Sequence, residues 1–412
     1  MTNHDTDYLE NTENHTLKTA DLTFCEAVAF LVGSNIGSGI LGLAYTARFA
    51  GWPVLTVWLI IAGVFTTFSM LYLAEVCLRT KAPLQLPGLA EKYVGGISAG
   101  LIYLALFINC MSCIIIYTSY SGNIMLTLFG MPQWIGSLLF TIPCVLVIWF
   151  GLKAVGIWEK FVSSGMIVLL LILIAASLLS AKSDITRTLY TNWHYGIPLF
   201  NNAVFCYVAQ YAVPELARGM RRTPHKLPRA IIIGMVVTGF LLSAAPAALL
   251  SLTGPESLSP SAPHTWGYLL GQWAFYAAHL FALCAIITSF WTVGESMVTS
   301  TVDMFHLSDE RNFCTRFFVL FCTVVPPFLL AHTHLIDFID AIGWAAIFGD
   351  IILSFLPCLI LIRARKKGDQ QPAWKCGWYA HPAVMTLLIL TYFLVCGYCI
   401  FSLFGFLPAH WS

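Results

Sequence analysis

Eleven apolar segments dominate this sequence, and each is long enough to cross a lipid bilayer as a helix. Because of them 58% of the residues are hydrophobic and only 10% are charged, whereas soluble domains carry about 25% charged residues. The segments are continuously apolar rather than alternating, which favours helices over the strands of a membrane barrel. The sequence therefore predicts an all-α integral membrane protein. The predicted spans are 24–50, 52–79, 97–129, 134–152, 154–180, 196–218, 228–252, 272–305, 315–333, 335–363 and 381–407.

The distribution of charge predicts how the chain is oriented. Residues 1–23 are polar and lack the apolar core of a signal peptide, so they are expected to form a disordered cytoplasmic tail. With the N-terminus inside, only Arg48, Lys182 and Arg187 of the 21 Lys and Arg residues fall in outer segments. This bias predicts a cytoplasmic N-terminus and an outer C-terminus. The membrane is expected to be the plasma (inner) membrane. The apolar composition makes the lipid bilayer its expected environment, and the net charge of +1 indicates no nucleic-acid or anionic partner.

The first span contains a glycine-rich stretch, Val32–Gly42, in which four of eleven residues are glycine. Glycine weakens a helix, and Ser34, Asn35 and Ser38 can hydrogen-bond their own backbone instead. The pattern predicts a helix that is broken near the membrane midplane. Such a break exposes N–H groups that suit an anion and carbonyl groups that suit a cation. The alternative is that the glycines only allow a neighbouring helix to approach closely.

Several motifs resemble those of known permeases. The stretch Asn35-Ile-Gly-Ser-Gly-Ile-Leu-Gly-Leu-Ala-Tyr45, followed by Gly51-Trp52, resembles the first helix of amino-acid permeases in the amino acid–polyamine–organocation superfamily. The closest branches are the amino acid/auxin permeases and the bacterial aromatic amino acid permeases. Further landmarks are Phe150–Gly156, Val213–Arg218 with Leu227–Ile231, and Asp340–Gly343 with Phe355–Pro357.

The resemblance implies a LeuT-like bundle of two inverted five-helix repeats, 24–180 and 196–363, with the segment 381–407 as an extra eleventh helix. It also implies that the first and sixth spans are broken. The sequence departs from the pattern at Ala44, where many relatives have proline. The sixth span has no glycine between residues 199 and 218, and Pro198 and Pro214 flank it instead.

In this interpretation the substrate α-carboxylate meets N–H groups of Ser38, Gly39 and Ile40. The α-ammonium group meets carbonyls near Gly33 and Ser34 and others around residues 205–209. Side chains from the third, sixth, eighth and tenth spans complete the pocket, and ordinary bundle packing is the alternative role for each single aromatic. The predicted substrate-binding set is Gly33, Ser34, Asn35, Gly37, Ser38, Gly39, Ile40, Asn109, Phe205, Tyr207, Gln210, Trp291 and Trp344, with Cys113, Tyr117 and Phe290 as further lining candidates.

The coupling ion is predicted to be a proton or sodium. Ionisable residues inside a membrane are costly and therefore functional candidates, which favours Asp350, and after it Glu295, as a protonation site. A permanent hydrogen bond to a neighbouring helix is the alternative role for Asp350. Sodium would use oxygens at the first-span break together with Thr288 and Ser289. Sodium-coupled relatives often have asparagine where Gly33 stands, and some proton-coupled relatives have a lysine in the fifth span, at a position that corresponds here to Met166.

The predicted function is a secondary active transporter that imports a neutral amino acid, with an aromatic one as a candidate. An exchanger or a permease-like nutrient sensor is the alternative, and a membrane-embedded enzyme is the rival class. His279 has no helix-spaced partner for catalysis, and Cys110 and Cys113 have no second cysteine pair for a metal. No Walker A pattern is present, so an ATP-driven pump is not expected. Neither a cofactor nor a metal is predicted.

Overall fold

The computed structural model describes residues 17, 21–307, 309–333, 355–403 and 405–407. Most of the predicted tail, Trp344, Asp350 and most of the predicted tenth span lie outside the described residues. In the first half of the chain the helices are α1 (Phe24–Asn35), α2 (Ser38–Ala47), α3 (Trp52–Arg79), α4 (Leu86–Tyr93), α5 (Gly96–Phe129), α6 (Gln133–Trp149) and α7 (Leu152–Leu178).

The second half repeats this pattern of long apolar helices. They are α8 (Gly196–Phe205), α9 (Ala212–Gly219), α10 (Leu227–Thr253), α11 (Ala262–Leu270), α12 (Gln272–Met304), α13 (Phe313–Thr333), α14 (355–367) and α15 (Pro382–Leu403). Four 3-10 turns connect them: Ile185–Thr188, Trp193–Tyr195, Pro224–Lys226 and Trp378–Ala380.

The ends of the long helices follow local backbone chemistry. Thr23 and Glu26 form a capping box at the start of α1, in which each side chain accepts a hydrogen bond from the other residue's backbone N–H. Gly51 begins α3 with φ +92°, and a Cβ there would lie 2.0 Å from the carbonyl oxygen of Tyr190. A side chain would therefore be both strained and obstructed at this turn.

The described helices agree closely with the predicted spans. Seven of them are long and apolar enough to cross a membrane, and α1 with α2 forms an eighth, bent span. Side chains on their outer faces, such as Ile60 and Phe161, are more than half exposed, as expected for surfaces that face lipid. The short helices α4 and α11 were not predicted. The protein is a multi-pass integral membrane protein.

The first span lies inside the bundle rather than at its surface. Helix α1 packs against α7, α10 and α12, and α2 packs against α8, α10, α11 and α12. Phe30, Leu31 and Ile36 are fully buried. Backbone groups at the break are therefore covered by protein, which is the condition for interrupting a helix at membrane depth.

The eleventh span attaches to the side of this core. The hydroxyl groups of Thr66 on α3 and Tyr392 on α15 lie 2.7 Å apart in a buried hydrogen bond. Helix α15 also packs against α8. The division into two repeats with this helix outside them stays a prediction.

Candidate binding site at the broken helices

The first span is interrupted at Ile36 and Gly37, where the axis bends by 50°. Helix α1 ends at Asn35, and Gly37 (φ −111°, ψ −142°) precedes α2 without any side-chain cap. The first N–H groups of α2 consequently have no intrahelical partners. The glycine-rich stretch is thus a break, as predicted, and not only a site of close helix packing.

Close packing is nevertheless part of the reason for the glycines. A Cβ on Gly37 would lie 2.6 Å from Ser289 Oγ, and one on Gly39 would lie 2.7 Å from Cys206 Sγ. Asn35 turns its side-chain Nδ2 back to donate to the carbonyl of Leu31 at 2.9 Å. This bond competes with helix continuation at the residue where α1 ends.

The carbonyl of Gly33 points at the eighth span. Ser289 Oγ donates to it at 3.0 Å, and Thr288 Oγ1 lies within hydrogen-bond distance of it at 3.2 Å. Ser289 Oγ is also 3.4 Å from the carbonyl of Ser34. The two hydroxyls predicted to serve an ion site therefore do meet the carbonyl end of the break.

The sixth span is interrupted beside the first. Helix α8 ends at Phe205, the chain turns through Cys206–Tyr211, and α9 begins at Ala212. The Cys206 thiol contacts Gly39 across the gap. Both spans that the resemblance implied to be broken are broken, even though the sixth has no glycine at this point.

A small cavity lies where the two breaks meet. Its volume is about 30 Å³, which is room for a few water molecules at most. Its lining joins the first, third and sixth spans: Ser34, Asn35, Gly37, Ser38, Gly39, Asn109, Cys113, Tyr117, Phe205, Cys206, Val208 and Tyr211. An amino acid can occupy this place only if the surrounding groups move apart.

Polar groups are arranged around the cavity. The hydroxyls of Ser34 and Tyr211 are 3.3 Å apart in a buried hydrogen bond. Asn35 is only 5% exposed, and its Oδ1 has no hydrogen-bond partner among the described residues. A buried amide oxygen without a donor is costly, so Asn35 Oδ1 is an acceptor available to a ligand.

Some predicted lining residues lie elsewhere. Tyr207 points between the second and seventh spans, where a Cβ on Gly63 or Gly239 would lie 3.1 Å or 2.9 Å from its hydroxyl. Phe290 packs against Phe140 at 5.8 Å between ring centroids. The buried residues Ile40, Gln210 and Trp291 are likewise not among the cavity-lining residues.

Glu295 belongs to a buried charge cluster, which we call the inner cluster. It comprises Glu215, Arg218, Glu295, Glu310 and Arg316. Arg218 lies 2.7 Å from Glu215 and 3.6 Å from Glu295 and also pairs with Glu310, while Arg316 lies 2.8 Å from Glu295. The cluster includes Glu310, from the segment between the eighth and ninth spans, and Arg316, at the start of the ninth span, where the Lys and Arg bias predicts a cytoplasmic location. Glu295 is thus held by two guanidinium groups.

A larger hollow of about 460 Å³ lies at the same end, beside Arg316 and Glu310. It is lined by Trp149, Phe150, Gly151, Leu152, Lys153, Glu310, Arg311, Phe313 and Arg316. None of these residues belongs to either broken span, so we do not assign the substrate to this hollow.

One carboxyl group near the break escaped the sequence analysis. Glu159 on α7 is fully buried, and a Cβ on Gly33 would lie 2.1 Å from its Oε1. The neighbouring Lys153 and Lys160 are among the basic residues that the charge bias places on the cytoplasmic side, so Glu159 between them was not considered as a group within the membrane. A signal was present, because Gly156 and Ser163 share one helical face with Glu159 and small residues mark close packing between membrane helices.

The fold and the break define the class of protein. The structure superposes on the crystal structure of MhsT in complex with L-phenylalanine with a TM-score of 0.66, at 14% sequence identity, covering 92% of this chain and 100% of that chain. The chain therefore has the LeuT fold that the sequence predicted.

The tryptophan/tyrosine permease family model matches residues 21–244 and 261–399. The chain belongs to this family. A "Tryptophan-specific transport protein" of Haemophilus influenzae is 25% identical over 252 residues, which are 57% of this chain and 59% of that protein. "Glutamine transporter 2" of Aliivibrio fischeri is 22% identical over 363 residues, which are 83% of this chain and 89% of that protein. The match with the Haemophilus protein thus spans about six tenths of its length.

Proposed function

We propose that this protein is a secondary active transporter of the amino acid–polyamine–organocation superfamily that imports an aromatic amino acid by alternating access. The observation that carries the proposal is the pair of facing breaks in the first and sixth spans, with a small polar cavity between them. Membership of the tryptophan/tyrosine permease family supports an aromatic substrate.

The substrate α-carboxylate is assigned to the start of α2. The N–H groups of Ser38, Gly39 and Ile40 lie in its first turn, and Gly37 provides no side chain to cap them. Uncapped N–H groups and the positive end of the helix dipole both favour a carboxylate. The Ser38 hydroxyl lines the cavity and adds a further donor.

The α-ammonium group is assigned to acceptors on the opposite side of the break. Asn35 Oδ1 is buried and without a donor in the described structure. The Gly33 carbonyl, by contrast, already meets the hydroxyls of Ser289 and Thr288. Asn35 is therefore a better placed ammonium partner than Gly33, and carbonyls of the Cys206–Tyr211 turn complete the set.

The substrate side chain is assigned to the wall formed by Asn109, Cys113, Tyr117 and Phe205. These residues line the cavity together with the backbone of the breaks. Aromatic rings offer a large apolar area and edge-to-face contacts to an aromatic ligand. Trp344 remains a predicted contributor from the tenth span.

The size of the cavity supports a cycle of opening and closing. A space of about 30 Å³ cannot hold an amino acid, so the conformation described is too narrow at the two breaks for the substrate. The inner cluster seals the predicted cytoplasmic end with ion pairs among side chains that are at most 7% exposed. Import requires these pairs to separate, and a cation gradient, of protons or sodium, supplies the driving force. Asp350, Thr288 and Ser289 remain predictions for coupling.

Uptake by the purified protein in proteoliposomes tests the proposal. We expect labelled tryptophan or tyrosine to accumulate under an imposed proton or sodium gradient and unlabelled aromatic amino acids to compete. Unlabelled glutamine is also tested as a competitor, because one relative is named "Glutamine transporter 2". Competition by glutamine alone would contradict an aromatic substrate. Counterflow without gradient-driven accumulation would indicate an exchanger, and absence of both would contradict transport.

A glycine substitution tests the site itself. Gly39→Ala places a methyl group 2.7 Å from Cys206 Sγ and 3.4 Å from the Phe205 ring. We therefore expect uptake to fall by at least an order of magnitude, which corresponds to a loss of about 1.4 kcal/mol or more of binding free energy. Gly165→Ala is the matched control, because a Cβ there meets no atom within 4 Å. Equal uptake by both variants would place the substrate elsewhere.

A further inference from the structure

Glu159 lies on the fifth span, where this span packs against the first and eighth spans next to the break. A Cβ added to Gly33 would lie 2.1 Å from Glu159 Oε1, 2.6 Å from Ser163 Oγ and 2.9 Å from Thr288 Cβ. The Glu159 side chain is 0% exposed, and neither carboxyl oxygen has a hydrogen-bond partner among the described residues. No salt bridge in the described part of the chain includes it.

An isolated ionised carboxylate is very costly to bury. Buried charges in proteins are therefore paired, coordinated to a cation or neutralised by a proton. Glu159 has neither a guanidinium nor an ammonium partner in the described structure. The Glu159 carboxylate must therefore bind a cation, either a proton or a metal ion, to be stable at this buried position.

Charged groups on the helices packed against α7 are committed elsewhere. On α1, Glu26 pairs with Lys153 at 2.9 Å. On α9 and α12, Glu215, Arg218 and Glu295 belong to the inner cluster. The other cysteine, histidine and charged residues of these helices and of α6, α10 and α11 are Cys25, Cys144, Arg229, His264, His279, Cys284 and Asp303. Asp303 accepts hydrogen bonds from the backbone N–H groups of Gln85 and Gly88, and Tyr268 and Tyr276 are more than half exposed. No hydrogen bond in the described structure joins any of these groups to Glu159. The Tyr211 hydroxyl, from the sixth-span turn, is hydrogen-bonded to Ser34 Oγ at 3.3 Å.

We propose that the Glu159 carboxyl group carries the coupling proton. This inference rests on the proposed transport function and names its ion and the residue that holds it. Glu159 takes a proton from water on the outer side and releases it to water on the cytoplasmic side, so that no other reactant is needed. Because Glu159 touches the last turns of α1, any tilt of α1 that opens the cytoplasmic end also hydrates the carboxyl group and favours its ionised form.

The arrangement of the hydroxyls favours a proton over sodium. The Gly33 carbonyl accepts from Ser289 at 3.0 Å and lies 3.2 Å from Thr288 Oγ1. Sodium would have to break the bond from Ser289 and turn that hydroxyl around, whereas the Thr288 hydroxyl can already donate within its own helix, to Ala285 at 3.0 Å. A proton requires one carboxyl oxygen only, and both oxygens of Glu159 are without partners among the described residues.

Glu159→Gln is the central variant, because glutamine keeps the shape of the protonated side chain but cannot release a proton. A gradient of about one pH unit supports roughly tenfold accumulation in one-to-one symport. We expect this accumulation to be lost in Glu159→Gln, while counterflow of labelled tryptophan between equal pools is retained. Glu91→Gln, at an exposed carboxylate, is the matched control and should accumulate like the wild type.

Infrared spectroscopy gives a readout that does not depend on Glu159→Gln folding. A protonated carboxyl band of the wild type at neutral pH should shift in Glu159→Asp and change when tryptophan is added. Retained proton-driven accumulation in Glu159→Gln, or a band that Glu159→Asp leaves in place, would overturn the inference. Wild-type accumulation driven by sodium and not by protons would also overturn it. Absence of both uptake and counterflow in the wild type would instead reject the transport function, and the band would still report on Glu159.

Discussion

Removal of Arg218 should open the cytoplasmic end of the bundle. Arg218 is nearly inaccessible and binds Glu215, Glu295 and Glu310 at once. In Arg218→Gln these buried carboxylates lose their shared counter-charge, and breaking a buried pair in this way costs about 3–5 kcal/mol. The cost falls on the closed conformation only, because water can hydrate the carboxylates once this end opens.

The size of the effect follows from that difference. At about 1.4 kcal/mol for each factor of ten, the equilibrium should shift toward the open form by roughly a hundredfold to a few thousandfold. Cys206 lines the cavity and can report this shift. In a variant whose other cysteines are replaced by serine, we expect an impermeant maleimide added from the cytoplasmic side to react much faster with Cys206 after Arg218→Gln.

Arg222→Gln is the matched control for this experiment. Its ion pair with Asp21 is 3.1 Å long, but the two side chains are 77% and 59% exposed. Exposed pairs contribute about 1 kcal/mol or less, so maleimide reactivity should change by no more than about fivefold. Reaction of Arg218→Gln at the wild-type rate from both sides of the membrane would refute the assignment of the inner cluster as a gate.

Two further substitutions test the packing of the break through thermal unfolding. Gly33→Ala forces a methyl group against the Glu159 carboxyl group and should destabilise the protein by about 1–3 kcal/mol, whereas Gly165→Ala should not; equal melting temperatures would contradict the geometry. Ser289→Ala removes a donor to the Gly33 carbonyl and should cost about 1 kcal/mol, while Ser164→Ala, at an exposed hydroxyl bonded within its own helix, should leave the melting temperature nearly unchanged. A Ser289→Ala protein as stable as the Ser164→Ala control would show that the Gly33 bond contributes little.

The architecture could be predicted from the sequence because span length and hydropathy are local properties. Trp52 and Arg79 bound the second helix in both the prediction and the structure. The break at Gly37 was also local, since glycine, serine and asparagine in one stretch compete with the helix through their own backbone chemistry. Family resemblance then supplied the order of the helices.

The side-chain neighbours of the site could not be predicted in the same way. Glu159 meets Gly33 and Thr288 across more than a hundred residues of sequence, and nothing near it in the chain indicates that contact. Tyr207 was expected at the cavity, but rotation of the sixth-span turn directs it away. Burial of one face of a helix depends on partners that only the assembled bundle defines.

The position of Tyr207 has a consequence for natural variation. Its ring fills the gap between Gly63 on α3 and Gly239 on α10, where added methyl groups would lie about 3 Å from the hydroxyl. The two glycines and the phenol thus form one steric unit that fixes the spacing of these helices. In homologues with alanine at either glycine, we expect a shorter side chain in place of the tyrosine, so that all three positions covary.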